Sequence, residues 1–193
     1  YLTHGYYERH ECRGRVGFCG VVAVSMSTRP LPDLNVCHAH RFVLWALPRT
    51  AARYVWSALS QYGSMAGLTH AVGVPHGCED YDIICTVRNP YTRLLSGWKW
   101  MNQIHGGAHH PGDFPRFVRE TAPGYVRPIT EILGTKVGKI THLLHVENLH
   151  ADLRALPCIP ESATLPPNVF QSEYDRPWQE YYTTDALKRT RII

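Results

Sequence analysis

The strongest constraint on the fold is an apolar run that stops two residues before a proline. Residues 83–87 read Ile-Ile-Cys-Thr-Val, a short stretch rich in β-branched side chains that predicts a buried strand. Pro90 suits the first turn of a helix, where its missing N–H costs nothing. We therefore expect the strand to end at Arg88 and a helix to begin almost at once.

That helix has two distinct faces. Leu94, Trp98 and Met101 fall at i, i+4 and i+7 and are predicted to face the core, whereas Ser96 points roughly the other way. An arginine at the carboxyl end of a strand and a hydroxyl two turns into the next helix can converge on one anion. Ligands of open α/β sheets bind at that edge. Taken alone, the segment fits equally well with the alternative that the arginine is an ordinary surface residue, that the serine is an ordinary helix residue, and that neither binds a ligand.

Strands and helices alternate along the chain. Further strands are predicted at 16–26, 41–47 and 139–146, and further helices at 51–62, 114–120, 147–156 and 178–193. This alternation predicts an α/β fold, a single-domain, mostly parallel sheet flanked by helices, and 193 residues suffice for one such domain. We expect the domain to occupy residues 40–193. Residues 1–39 are then an N-terminal extension that holds the extra strand and whose role is open.

Composition excludes several functions. The net charge of +4 and the pI of about 8.8 mildly favour anionic ligands, but the basic residues are scattered, so nucleic acid is not an expected partner. No run of 18 apolar residues occurs, so no membrane span is expected. The six cysteines form no CxxC pair, which favours a reducing, cytoplasmic location. The chain starts without Met and without a signal-type apolar segment, which is compatible with a trimmed N-terminus.

The segment Pro48–Tyr54 follows the predicted strand at 41–47. A strand, a tight turn and a helix start form an anion site, because free N–H groups and the helix dipole converge there. Arg49 and Arg53 lie in that turn and can add bidentate contacts to phosphate or sulfate. The triphosphate-binding pattern GxxxxGK[ST] is absent.

On these residues the chain resembles the PAPS-dependent sulfotransferases, especially their carbohydrate and short bacterial-type members. "RNPYTRLLS" (88–96) matches the family's 3′-phosphate signature, RNPxxR with a serine eight residues after the first arginine. "PRTAARY" (48–54) is similar to its 5′-phosphosulfate loop, Pro-Lys-(Ser/Thr/Ala)-Gly-Thr-Thr-aromatic. Residues 145–156 and 165–187 resemble the family's "RYENLxxDL" and "PHVNxS…YxEYY" segments. The resemblance runs from about residue 40 to the end and implies a P-loop NTPase-like sulfotransferase fold.

The resemblance also implies a reaction. Arg88 and Ser96 would hold the 3′-phosphate of PAPS. The 5′-phosphosulfate would lie on the loop made of Pro48, Arg49, Thr50, Ala51, Ala52, Arg53 and Tyr54. The enzyme would be an O-sulfotransferase that moves the sulfuryl group to a hydroxyl of a glycan or small-molecule acceptor and releases PAP, with no metal required.

The loop departs from the family pattern. Arg49 stands where the family usually has lysine, so it keeps the charge but cannot donate a proton near neutral pH. Ala51, Ala52 and Arg53 replace a glycine and two threonines, which removes hydroxyl contacts and backbone freedom.

Histidine best fits the pH requirement of the catalytic base. His70, in "LTHAVG", resembles a "KHA" segment of short family members and is the first candidate. His76 is the second, and an acidic residue or a histidine of 105–110 is the remaining alternative. The loop at 105–114 is predicted to be a mobile lip over the acceptor.

Two other functions stay open. The altered loop favours a PAPS- or PAP-binding protein that has lost catalysis. A small-molecule kinase is disfavoured by the absent GK[ST] and by the lack of a clear Mg²⁺-binding aspartate. Six potential zinc ligands lie within the first forty residues: His10, Cys12, Cys19, Cys37, His38 and His40. Their spacing fits no common zinc module, so no metal site is predicted.

Overall fold

The computed structural model describes residues 34–105, 113–120, 127–167 and 176–190. The chain divides into two units, Tyr1–Pro30 and Leu31–Ile193, and every described residue belongs to the second. The predicted strand at 16–26 and residues 106–112 of the predicted lip lie outside the described residues.

Four strands of the described part form one sheet in the order β1-β2-β3-β4. They are β1 (Val36–Cys37), β2 (Phe42–Trp45), β3 (Asp82–Val87) and β4 (His142–His145). β2, β3 and β4 are mutually parallel, whereas β1 is antiparallel to β2. The predicted α/β class is confirmed, and the sheet is mixed. β1 was missed because two residues are too few to show a periodic pattern.

Six α-helices are described. They are α1 (Ala52–Leu59), α2 (Pro90–His105), α3 (Phe114–Glu120), α4 (Ile129–Leu133), α5 (Leu149–Arg154) and α6 (Thr184–Thr190). Short 3₁₀ helices cover Gly134–Lys139, Val146–Asn148 and Trp178–Tyr181. Across the described ranges, none of the helices combines the length and apolar character that a membrane crossing requires.

α2 begins at Pro90 as predicted, but the single closing helix predicted at 178–193 is wrong. Tyr182 is extended after the 3₁₀ turn, and the Thr183 hydroxyl accepts a hydrogen bond from the Ala186 N–H at the start of α6. The interruption lets Tyr181 and Tyr182 both turn inward, where they pack with Phe114. Burial of these aromatic rings outweighs the continuous helical pattern.

Both faces of the sheet are covered by apolar side chains. One face carries Leu44, Ile84 and Leu144 and packs against buried residues of α1 and α5. The opposite face carries Val43, Trp45, Ile83 and Cys85 and packs against Leu133 of α4 and Cys78. This packing fixes where each strand ends, and therefore where the connecting loops begin.

A third cluster packs α2 against α3 and the C-terminal segment. Leu94 is buried in it, and Trp98 and Met101 are half-buried against it. The predicted core stripe of α2 is confirmed.

Candidate anion-binding site at the carboxyl edge of the sheet

Two loops meet at the carboxyl edge of β2 and β3. These strands are parallel and neighbouring, with Trp45 opposite Cys85. Residues 48–51 follow β2 and lead into α1, and Arg88 follows β3 and leads into α2. Because carboxyl ends of parallel strands lie at one edge, the two segments singled out in the sequence are neighbours in space.

The loop at 48–51 has an unusual backbone. Arg49 has φ 65° and Ala51 has φ 58°, both in the left-handed region, which costs a side-chain-bearing residue roughly 1–2 kcal/mol. Ala51 occupies the position where the resembled loop has glycine, the residue that adopts this conformation without penalty. The surrounding structure must hold the loop on this path.

Thr50 ties the loop to the neighbouring strand. Its Oγ1 donates to the Leu47 carbonyl at 2.8 Å and lies 2.6 Å from the Oγ1 of Thr86. The single hydroxyl proton of Thr50 goes to that carbonyl, so the Thr86 hydroxyl is the donor between the two threonines. Both side chains are fully buried. The Thr50 side chain is therefore held by the protein's own hydrogen bonds, and the residue as a whole is buried.

Arg49 connects the loop to α2. Its Nη2 donates to the Ser96 Oγ at 2.9 Å and to the Ser96 carbonyl at 3.0 Å, and its guanidinium carbon lies 5.4 Å from the ring centre of Trp100. Ser96 is 2% exposed. Two residues that the sequence placed at different phosphates, 47 positions apart, are thus in direct contact.

Arg88 lies in a second network at the start of α2. Its Nε donates to the Thr92 Oγ1 at 3.1 Å. The Glu147 carboxylate accepts from the Asn89 N–H at 2.9 Å and lies 3.3 Å from the Thr92 hydroxyl. Glu147 belongs to the segment similar to "RYENLxxDL", so three of the sequence segments meet at this edge.

Arg93 is a site residue that the sequence analysis missed. It is 4% exposed, and it donates from Nε to the Pro48 carbonyl at 3.1 Å and from Nη1 to the Arg127 carbonyl at 2.7 Å. Burial lowers the pKa of its guanidinium to about 10, which leaves it charged at neutral pH. The available signal was helical spacing, since Arg93, Ser96 and Trp100 fall at i, i+3 and i+7 on one face.

His70 lies at the same edge. Its Nδ1 is 3.1 Å from the carbonyl oxygen of Ala46, the residue that directly follows β2. A carbonyl only accepts, so Nδ1 carries the proton and the Nε2 of the neutral ring is left as a proton acceptor. The ring is exposed. The position of His70 at this edge and the free lone pair on its Nε2 both suit a general base.

His76 lies in the connection that runs from His70, at the carboxyl edge, to the start of β3 at the amino edge. Backbone N–H groups of Glu79 and Gly77, with a smaller contribution from His76, lower the pKa of the Glu79 carboxyl. The next residue, Asp80, pairs with Arg41 just before β2. His76 is therefore placed in the connection between His70, at the carboxyl edge, and Asp80, at the amino edge.

The rest of the predicted loop contributes unequally. Ala52 is buried and Arg53 is exposed. Tyr54 is buried and its hydroxyl donates to the Pro166 carbonyl at 3.0 Å while accepting from the His150 Nε2 at 2.9 Å. Burial raises the pKa of its phenol. The Tyr54 side chain therefore connects α1 to α5 and to Pro166.

The start of α1 is open to an anion. Its N-terminus has no side-chain cap, and its first turn contains no acidic residue. Helix N-terminal N–H groups need an acceptor and carry partial positive charge.

No cluster of three or more His, Cys, Asp or Glu side chains able to hold a metal ion occurs among the residues the structure describes. Three residues of the zinc alternative, His10, Cys12 and Cys19, lie outside those ranges. Of the others, Cys37 is buried and His40 lies 2.7 Å from the Tyr62 carbonyl.

Comparisons with protein-family models, with curated proteins and with solved structures find no match to this chain.

Proposed function

We propose that the chain is a PAPS-dependent sulfotransferase that binds its donor at this edge and sulfates a hydroxyl of a carbohydrate. The supporting observation is the convergence of the loop at 48–51 with Ser96 through the Arg49 side chain. The sequence motifs assign these two elements to the two phosphate-bearing ends of one donor. The proposal includes a P-loop NTPase-like sulfotransferase fold as the finer description of the α/β architecture.

The charge at the edge suits an anion with more than one phosphate. Arg49 lies in the loop that leads into α1, whose start has no side-chain cap. Arg88 follows the neighbouring strand β3 and contacts Thr92, and the buried charge of Arg93 contacts the Pro48 carbonyl. Guanidinium groups bind phosphate and sulfate oxygens in bidentate fashion. The left-handed backbone at Ala51 further supports the proposal, because glycine, the residue at this position of the resembled loop, adopts such a conformation without penalty.

Roles for the side chains follow from their chemistry. When bound, PAPS would supply the sulfuryl group, with its bond to the 5′-phosphate oxygen breaking as the acceptor oxygen bonds to sulfur. His70 would take the proton of the acceptor hydroxyl on Nε2. Arg49 would stabilise the negative charge on the departing phosphate without protonating it, because its pKa is too high.

A second function is favoured by a specific observation. Nη2 of Arg49 is already hydrogen-bonded to Ser96, and Ala52 and Arg53, which replace the two threonines, offer no hydroxyl to a sulfuryl group. This arrangement suits a PAP-binding protein without turnover.

The first experiment is calorimetric titration with adenosine 3′,5′-bisphosphate, with AMP as the reference ligand. We expect preference for the bisphosphate, and we expect Arg88→Ala to weaken its binding by about tenfold to a hundredfold, as for one charge-assisted contact. Arg41→Ala is the matched control, since Arg41 is an exposed arginine at the other edge. Equal affinity for the two ligands would refute the donor site.

A second experiment separates the enzyme from the binding protein. PAP release from PAPS is measured with a panel of sugar acceptors, in the wild type, His70→Ala and His76→Ala. The enzyme requires turnover that falls in His70→Ala by about a hundredfold or more, the usual contribution of a general base, and that is retained in His76→Ala. Tight binding without turnover would favour the binding protein.

A further inference from the structure

Arg93 is the only charged side chain buried among the residues that the structure describes. Its hydrogen bonds go to two backbone carbonyls, those of Pro48 and Arg127, rather than to a carboxylate. Burying a cation costs free energy that a carbonyl repays only in part. Packing alone therefore does not explain why an arginine is buried at this position.

Its position on α2 points to the loop. Arg93, Ser96 and Trp100 share one helix face, and all three contact the loop: Arg93 holds the Pro48 carbonyl, and the other two hold the Arg49 side chain. α2 thus contacts two consecutive loop residues, Pro48 and Arg49, of which Arg49 is itself left-handed and lies two positions before the left-handed Ala51. The second bond of Arg93, to Arg127, connects the segment before α4 to the same point.

We propose that Arg93 is a positioning residue for the anion site. It fixes the Pro48 carbonyl, keeps the loop at 48–51 on its left-handed path, and thereby aims the loop amides and Arg49 at the bound anion. Its charge adds positive potential beneath the loop without touching the ligand. The nucleotide part of this inference rests on the proposed function, whereas the effect on the loop does not.

Three variants test this proposal. Arg93→Met keeps the approximate length but removes the charge and both hydrogen bonds. Arg93→Lys keeps the charge and a donor but cannot donate to two diverging carbonyls at once. Leu95→Ala is the control for general destabilisation, because Leu95 is fully buried in the same helix turn and contacts the aromatic cluster instead of the loop.

Two readouts are compared under conditions in which each variant is folded. Amide hydrogen exchange is followed in a peptide covering residues 46–54, relative to a peptide from β3. Affinity for adenosine 3′,5′-bisphosphate is measured by calorimetry. We expect Arg93→Met to accelerate exchange in the loop and to weaken binding by about tenfold or more, since hydrogen bonds of a charged group are lost. Arg93→Lys should restore part of the exchange protection and part of the affinity. Leu95→Ala should change neither the loop exchange relative to β3 nor the affinity.

The outcomes separate the two proposals. If Arg93→Met loses stability as Leu95→Ala does, with unchanged loop exchange and affinity, the positioning role is refuted. If the wild type shows no preference for the bisphosphate but Arg93→Met still loosens the loop, the proposed function fails and the positioning role stands. If Arg93→Met does not fold, Arg93→Lys decides, because wild-type loop exchange and affinity in that variant would overturn the proposal.

Discussion

At the carboxyl edge of the sheet, Thr50, Thr86, Arg93 and Ser96 are buried and hydrogen-bonded to the loop or to one another. At the amino edge, charged side chains face solvent. Arg41 and Asp80 form an ion pair with side chains that are 57% and 70% exposed. Buried polar groups are costly unless they are paired, whereas exposed pairs are nearly neutral. The carboxyl edge therefore has a defined arrangement of buried polar groups whose loss would cost stability, whereas the ion pair at the amino edge contributes little.

The cavity at the amino edge supports this contrast. It measures about 30 Å³ and is lined in part by His40, Asp82, His142 and Cys158. Such a volume holds little more than water. His142 and Asp82 approach within 3.8 Å, with the Asp82 side chain half exposed. The amino edge therefore has titratable groups without the buried, interconnected geometry of the opposite edge.

The largest expected effect comes from breaking the threonine pair at the carboxyl edge. Thr50→Val removes the bond to the Leu47 carbonyl and leaves the buried Thr86 hydroxyl without its acceptor. We expect the free energy of unfolding to fall by about 1–3 kcal/mol, measured by urea denaturation. Thr130→Val, at an exposed position of α4, should change it by less than about 0.5 kcal/mol. An equal loss in both variants would contradict the contrast between buried and exposed sites.

A smaller effect, of opposite sign, is expected from Ala51→Gly. Relief of the left-handed conformation contributes about 1–2 kcal/mol, and the added freedom of glycine in the unfolded chain offsets about 0.5–1 kcal/mol of it. We therefore expect the free energy of unfolding, measured by thermal denaturation, to rise by about 0.5–1 kcal/mol. The same substitution at exposed Ala151, inside α5, should instead destabilise by about 1 kcal/mol. A loss at both positions would show that the loop is not strained at Ala51.

The smallest effect is expected at the amino edge. Asp80→Asn removes the exposed partner of Arg41, and the free energy of unfolding should fall by less than about 1 kcal/mol. The difference from the wild type should shrink further in 1 M salt, because exposed charges are screened. A salt-independent loss comparable to that of Thr50→Val would mean that the two edges do not differ as described.

Much of the architecture follows from local patterns. β3 was predicted from its β-branched run and covers Asp82–Val87, and α2 was predicted from Pro90 and begins there. β2 and α1 lie within the predicted ranges for the same reason. Periodicity and proline geometry act over a few residues, so the elements that depend on them can be predicted from the sequence alone.

The candidate site was predicted only in part. The sequence indicated that the loop at 48–51 and the start of α2 lie at one edge, because parallel strands place their carboxyl ends together. It gave no sign that Arg49 reaches Ser96, that Arg88 turns to Thr92, or that Arg93 is buried against Pro48. Each of these contacts depends on how a helix rotates and packs against a loop far away in sequence.

The sequence by itself determined the α/β class, the strand-to-helix turn at Pro90 and the edge of the sheet at which the candidate site lies, since these depend on local pattern and strand order. Only the tertiary structure decided the left-handed path at Ala51, the interruption before α6 and the partners of Arg93. The physical reason is that burial and hydrogen-bond pairing are set by contacts between distant segments, and they override local preference wherever a polar group or an aromatic ring must be enclosed.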